Sequence, residues 1–405
     1  MERQVFLKNT SRIQDIEIDL RKISFFLLCC YVALSSLVYI DFIPTVMISM
    51  ALYAFVLVSM LTVILSKKIS INIHVASYGV FMLWCFISSV YSGYFNASFA
   101  TSIEVLKIFV FVFMLVNIVD SVRQIEIIMS VYSICPVFLI IYMALTNQLF
   151  VDERLGGDLT GNANTFATLL MVASMSSVYL IFNSKGTVGK IIAYICFFIE
   201  EFALALTGSR KAAIFPIILF CAIIVIKADR KGRKHIIRNV IIATLIIVGI
   251  FTAIMEVPFF YDAIGYRMEG LLNLFSGEGE VDSSSLVRTD MMNEAIARWK
   301  EKPIFGHGID TYKKLSHYGC YSHNNFAELL CDIGIVGFII YYFFYANMLV
   351  KMLAQKKFDL KKWYWIFFLI FICVSEYGTI TYYMFPIQTF FTLMCIFSQS
   401  YDEKD

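Results

Sequence analysis

The sequence predicts an all-α polytopic membrane protein of about 12 transmembrane helices, with one long external loop between spans 9 and 10. Three observations predict this class. Of 405 residues 59% are hydrophobic and 16% charged, with a mean hydropathy of +0.75, more apolar surface than a soluble chain of this size buries. The apolar residues form continuous runs near the ~20 needed to cross a bilayer instead of alternating, which favours helices over a barrel. Lys and Arg concentrate on alternate connections, as the insertion bias of membrane helices requires.

In order, the runs lie near 23–40, 43–66, 70–91, 99–119, 125–145, 161–183, 188–207, 209–227, 236–256, 325–350, 362–380 and 383–400. About twenty polar and charged residues precede the first, and no small-residue cleavage pattern follows it, so a retained helix is expected and not a signal peptide. With the N-terminus in the cytoplasm, Lys67, Lys68, Arg123, Lys185 and Lys190 fall inside. So do Lys227, Arg230, Lys231, Arg233, Lys234, Arg238 and the group Lys351, Lys356, Lys357, Lys361 and Lys362. The connections near 41, 92–98 and 376–382 stay outside and carry no Lys or Arg. Both termini are then cytoplasmic. The 38 phenylalanines and 23 tyrosines suit anchoring at headgroup level. The ten cysteines lie mostly in apolar runs (Cys29, Cys30, Cys85, Cys135, Cys196, Cys221), with no spacing for a disulfide frame or zinc site. A net charge of +2 gives no reason to expect a nucleic-acid partner.

Three external segments oppose the charge bias: Arg154 in the loop 146–160, Arg210-Lys211 in the turn 207–211, and the loop of about 257–324. Each is either a snorkelling cation or a functional one. Within the long loop, Ser283-Ser284-Ser285 can cap a helix near 286–301, which Pro303, Gly306 and Gly308 would end. Val287, Met291, Ala295 and Trp299 fall at helical spacing, so this helix could lie on the membrane surface, with Arg288 beside the stripe. The chain is otherwise expected to be a single membrane domain over 1–405.

Four segments carry chemical character: Gly161-Asn162-Ala163-Asn164, Thr207-Gly208-Ser209-Arg210-Lys211, Arg288, and Tyr321-Ser322-His323-Asn324-Asn325. The sixth, eighth and tenth helices should all start at the external face, where free N–H groups and the positive dipole end favour an anion. Arg210 and Arg288 add forked donors suited to phosphate, so a lipid-linked pyrophosphate fits. Lys107 and Glu104 are either a self-neutralising pair or part of this site, and Glu200 and Glu201 in the seventh span are similarly open. His323 is the strongest base among five histidines. His307 sits in a Gly-flanked turn and reads as structural, His317 lacks supporting neighbours, and His74 and His235 fall near the cytoplasmic side. There is no H-E-x-x-H or Walker loop. Nor is there an external Asp-x-Asp for metal-dependent glycosyl transfer, and no metal or cofactor is expected. Asp15-Ile16-Glu17-Ile18-Asp19 reads as a solvated cytoplasmic helix face, and Ser209, without a His–Asp partner, as a cap.

From about the fourth span to the tenth, these segments resemble the O-antigen polymerase and O-antigen ligase superfamily of bacterial surface-polysaccharide enzymes. Gly161 to Asn164 is similar to that family's Gly-Asn-Pro-Asn helix start, with Ala163 in place of Pro, and Thr207 to Arg210 to its Gly-Ser-Arg turn. Arg288, Trp299 and Pro303-Ile304-Phe305-Gly306-His307-Gly308 resemble its loop signature. His323-Asn324-Asn325, continuing through Glu328 to Gly334 and Gly337, resembles its His-Asn helix start. The resemblance implies a glycosyltransferase C-like fold, metal-independent transfer, undecaprenyl-pyrophosphate-linked donor and acceptor glycans, and a chain-length-regulating co-polymerase as partner. It also implies a bacterial inner-membrane location with the active site on the periplasmic or external face. By it, Arg210, Arg288, Lys107 and Lys211 are pyrophosphate contacts, His323 the base, and Asn164, Ser209, Asn324 and Glu328 supporting residues. A polymerase is the expected activity. The alternatives are a ligase transferring glycan to lipid A-core, a protein O-oligosaccharyltransferase, and, from another class, a flippase for the same lipid-linked sugars.

Overall fold

A computed structural model describes the chain apart from residues 1, 41–42, 151–153, 158–161, 230–232, 277–282, 356–358 and 403–405, and apart from the side chains of 2–18, 229, 233, 271, 274–276, 283 and 401–402. Gly161, Arg230, Lys231, Lys356, Lys357 and the side chains of Asp15 to Ile18, Arg233 and Ser283 therefore lie outside the described residues. The main helices are α1 Glu2–Ser36, α2 Thr45–Ser66, α3 Ile73–Tyr91, α4 Phe95–Ile118, α5 Val122–Leu145, α6 Ala163–Asn183 and α7 Thr187–Leu206. They continue with α8 Arg210–Asp229, α9 Arg233–Glu256, α10 Tyr266–Ser276, α11 Ser283–Glu301, α12 Asn325–Ala354, α13 Leu360–Ser375 and α14 Phe385–Asp402. No strand occurs among the described residues.

Every expected apolar run coincides with a helix, and eight helices (α2 to α6, α8, α9 and α12) are long and apolar enough to cross a membrane. The chain is a polytopic membrane protein. Among the helices outside that set, α7 carries Lys190, Glu200 and Glu201, and α13 has only 16 residues. Starts are fixed by side-chain caps where lipid-exposed N–H groups would be costly: Asn72 for α3, Ser121 for α5, Asn162 for α6, Asn324 for α12 and Asp359 for α13. The axis of the bundle is α6, buried over most of its length because Ala167, Ala173, Ser174, Ser176 and Ser177 let α5, α7 and α8 approach closely. At the other extreme, α9 is almost wholly exposed and packs on α8.

The tenth span is not one straight helix. In a continuous α-helix, residues 17 apart are separated by about 25 Å. Yet Asn325 Nδ2 donates to Tyr342 Oη at 2.9 Å, and the rings of Phe326 and Tyr342 stack at 4.9 Å. The chain reverses at Gly334 (φ 65°, ψ −174°), so residues 325–333 form a short arm folded back along the second arm, 335–354. The expected run 325–350 is thereby corrected: the second arm alone, about 20 residues, has the length of a bilayer. The groups freed by the break are met by the segment Pro303 to Gly308. Ile335 N donates to Pro303 O (3.0 Å) and Val336 N to Ile304 O (3.3 Å), while Cys331 O and Asp332 O accept from His307 N (3.1 Å) and Gly308 N (2.6 Å). The Asp332 carboxylate completes the joint by accepting from the amides of Asp310, Thr311 and Tyr312. Non-helical backbone inside a bundle persists only when protein satisfies it in this way.

The loop helix α11 starts at Ser283, so the serines lie inside its first turn and do not precede it. The middle of its stripe packs inside the protein, while Val287 is exposed. Ala295 is buried in a cluster with Tyr312 and with Ala327 and Cys331 of the short arm of α12, and the carbonyl of Met291, also buried, accepts from Tyr312 Oη at 2.8 Å. The apolar face belongs to an internal helix contact because the folded-back arm offers it a partner. His307 is structural, its Nε2 lying 2.9 Å from Arg298 O, and His317 pairs with Glu294 at 3.0 Å.

Candidate functional site

The reversal of α12 carries its capped N-terminus down beside the middle of its own second arm. Asn324 caps this arm by accepting from Ala327 N (3.0 Å), and the buried Glu328 carboxylate reaches back to accept from Ser322 N (2.6 Å) and Ser322 Oγ (2.8 Å). Between these two ties His323 is held at φ +57°, a left-handed conformation that costs a residue with a β-carbon about 1–2 kcal/mol. Such strain persists where surrounding contacts over-determine it, and it clusters at functional sites. The imidazole is half-buried, 4.3 Å from the ring of Tyr321. Burial first, then the positive charges of Arg288 and Lys211, pull its pKa from 6.5 to about 4. The ring is thus neutral near pH 7 and able to accept a proton.

The cations come from α8, α10, α11 and the segment before α6. The turn between α7 and α8 places Ser209, Arg210 and Lys211 at the start of α8, with Ser209 buried and its carbonyl accepting from Ala213 N (3.1 Å). Arg210 donates from Nη2 to Ser285 Oγ (3.0 Å) on α11 and from Nη1 to Arg267 O (2.5 Å) on α10. Ser285 lies one turn before Arg288, so the first of these bonds brings the two arginines of the sequence reading onto one junction. Lys211 Nζ donates to Ser375 O (2.8 Å) and to Thr379 Oγ1 at the end of α13.

Two further arginines stand at the same turn. Arg154 Nε donates to Thr207 O (2.7 Å), and its Nη2 to Asn164 Oδ1 (3.0 Å). A β-carbon at Gly208 would lie 3.2 Å from Arg154 Nε and 3.4 Å from Arg267 Nε, so bare backbone at Gly208 (φ +61°) is what admits both groups. Asn162 accepts from Asn164 N (2.9 Å) and donates from Nδ2 to Tyr321 Oη (2.6 Å), linking the start of α6 to the residue two before His323. Arg288 and Lys211 act directly on the His323 imidazole, while Arg154, Arg210 and Arg267 gather at the turn that bears Lys211. Such an array can bind a multiply charged anion and stabilise charge developing on it.

Of the residues expected from sequence, Arg210, Lys211, Arg288, His323, Asn164, Ser209, Asn324 and Glu328 are all found here. Lys107 is not. Its Nζ pairs with Glu104 at 2.7 Å on a half-exposed face of α4, and its further polar neighbour is Tyr53 of α2. Lys107→Met should therefore change turnover by no more than about twofold in a glycan-transfer assay, as for other surface substitutions. Glu200 and Glu201 accept from Ser177 (2.6 Å) and Ser174 (2.5 Å) of α6, away from His323. Sequence reasoning missed Arg267 altogether and took Arg154 only as a charge on the wrong side. Arg267 lies in the first turn of α10, a short helix within the long segment 257–324 that the sequence reading left unassigned.

Residues 192–342 match the family model described as O-antigen ligase, a stretch from within α7 to Tyr342 that contains Arg210, Lys211, Arg267, Arg288 and His323. This segment belongs to the O-antigen polymerase and ligase superfamily. The members of that superfamily are membrane enzymes that transfer glycans, and the chain is an enzyme of this general kind. The matched stretch ends at the residue that receives Asn325 of the folded-back arm, so it contains both arms' contact, while Arg154, Asn162, Asn164, Ser375 and Thr379 lie outside it. No curated protein matches the chain.

Proposed function

We propose that the protein is a polysaccharide polymerase of the bacterial inner membrane, moving a growing glycan from undecaprenyl pyrophosphate onto a new lipid-linked repeat unit on the external face. The observation that carries this reading is a neutral, strained histidine acted on by Arg288 and Lys211, with Arg154, Arg210 and Arg267 gathered at the adjoining turn. His323 takes the proton of the acceptor sugar hydroxyl as its oxygen attacks the anomeric carbon of the donor. The bond from that carbon to the pyrophosphate oxygen breaks, and the leaving group departs with the electron pair. Pyrophosphate needs charge stabilisation more than protonation, which Arg210, Arg288 and Lys211 supply without a metal. Confinement of both lipid-anchored substrates to one membrane helps align them. A co-polymerase that sets chain length would act on the same cycle.

A ligase that transfers the glycan to lipid A-core is the second reading, favoured by the description of the matching family. Purified protein given lipid-linked repeat units alone separates the two: a polymerase yields a ladder of longer glycans that persists in chelator. Product that forms only when lipid A-core is added would replace the polymerase with the ligase. In the same assay Arg288→Ala should lower turnover by about 10²–10³-fold, with Arg288→Lys recovering only part because an ammonium lacks the planar fork.

A further inference from the structure

A second charged recess lies at the far end of the bundle. A cavity of about 830 Å³ opens where α5 and α13 begin and α6 and α14 end. The 16 residues of α13, about 24 Å of helix, separate it from Ser375, the residue that receives Lys211 at the His323 site. Its size is that of a small-molecule site. Arg123, Lys185 and Lys361 line it on the polar side, and Ile127, Leu180 and Phe397 on the apolar side.

Its two carboxylates are already committed to the protein. Glu126 accepts from Lys361 Nζ at 2.8 Å, and Asp359 caps α13 by accepting from Lys361 N at 2.8 Å. Lys361 is further fixed 5.9 Å above the ring of Tyr179. Arg123 and Lys185 bring the net charge of the lining to +1, three cations against two carboxylates. They stand on the first turn of α5 and just past the end of α6, the level of a membrane helix at which phosphate headgroups lie.

We propose that this cavity binds the headgroup of an anionic phospholipid, its phosphate against Arg123 and Lys185 and the first carbons of its chains against Ile127, Leu180 and Phe397. A free phosphate would satisfy the cations and leave the apolar side of the cavity in water. A zwitterionic lipid would satisfy the wall and place its own cation beside three others. An anionic lipid meets both demands, and basic recesses between membrane helices hold such headgroups. The site is independent of glycan transfer and shares no residue with the His323 group.

Delipidated full-length protein, titrated with short-chain phosphatidylglycerol or phosphatidylcholine and read by native mass spectrometry, tests this. Phosphatidylglycerol should bind at least about tenfold more tightly, and each of Arg123→Ala and Lys185→Ala should weaken it about fivefold. Ile127→Trp, which fills the cavity without touching its charge, should also remove binding, whereas His323→Ala should leave it unchanged. Equal binding of the two lipids overturns the proposal. So does phosphatidylglycerol binding that survives both alanine variants in protein of unaltered helix content. Displacement of the lipid by equimolar inorganic phosphate would make the occupant a free anion and overturn the lipid assignment.

Discussion

Replacing His323 with alanine is expected to lower glycan transfer by on the order of 10²–10⁴-fold while the lipid pyrophosphate still binds. The cations proposed to hold the anion include Arg210 and Lys211 of α8, and removing the imidazole leaves their bonds to Ser285, Arg267 O and Ser375 O in place. A variant that lost binding and turnover together would make His323 a ligand and not the base. A refinement follows from its pKa of about 4, set by burial first and then by Arg288 and Lys211. In free enzyme the acid limb of kcat/KM should fall near pH 4. Once a pyrophosphate neutralises those two cations, their depression of the pKa is relieved, so the acid limb of kcat should sit at higher pH, toward 6.5. The anion would thus make the base stronger at the moment it is needed. Coincident limbs in the two profiles would refute that coupling.

The same depression fixes a sign for stability. An imidazole with a folded pKa near 4 and an ordinary value of 6.5 binds more protons unfolded than folded between those limits. Its contribution is full above pH 6.5 and is lost as pH falls toward 4. His323→Gly gives the control for both arguments, because glycine adopts φ +57° without penalty. That variant should fold at least as well as the wild type and lose the pH 4–6.5 dependence along with turnover.

The helices and most of the site were legible because each rests on a local signal. Apolar runs near twenty residues predicted the helices of the membrane bundle, and Asn162 and Asn324 announced their own caps by residue type. Arg210 and Arg288 were singled out by charge on the side where the insertion bias disfavours it, and His323 by its place just before a helix start. What escaped was non-local. Nothing in the run 325–350 marks Gly334 as a reversal and not a tolerated glycine, since the partners that satisfy the break lie about thirty residues earlier, at Pro303 to Gly308. The same gap hid the true partner of the α11 stripe, which the folded-back arm creates. Lys107 was misplaced for the converse reason: a local pair with Glu104 suffices to hold it.

The reversal itself supports the second large expectation, that Gly334→Ala abolishes assembly of the native protein. Two independent effects act at this residue. Its φ of 65° with ψ of −174° lies in a region open essentially to glycine alone, which costs another residue about 1–3 kcal/mol. A β-carbon there would also lie 2.2 Å from Ile304 O and 2.4 Å from Ile304 C, backbone atoms that cannot rotate away. Relief requires moving Pro303 to Gly308 off the break, which strips the hydrogen bonds of Ile335, Val336, Cys331 and Asp332. Unmet backbone groups in a bundle are then left, each worth several kcal/mol in a hydrocarbon surround. Because Asn324 and His323 ride on the short arm, even a folded remnant would present the base off its platform. Gly93→Ala, where an added β-carbon meets nothing within 4 Å, is the matched control and should leave the protein unchanged. Size-exclusion profiles of the two variants in detergent decide the matter: a native peak for Gly334→Ala equal to that of Gly93→Ala would mean that the arms of α12 do not meet at Tyr342.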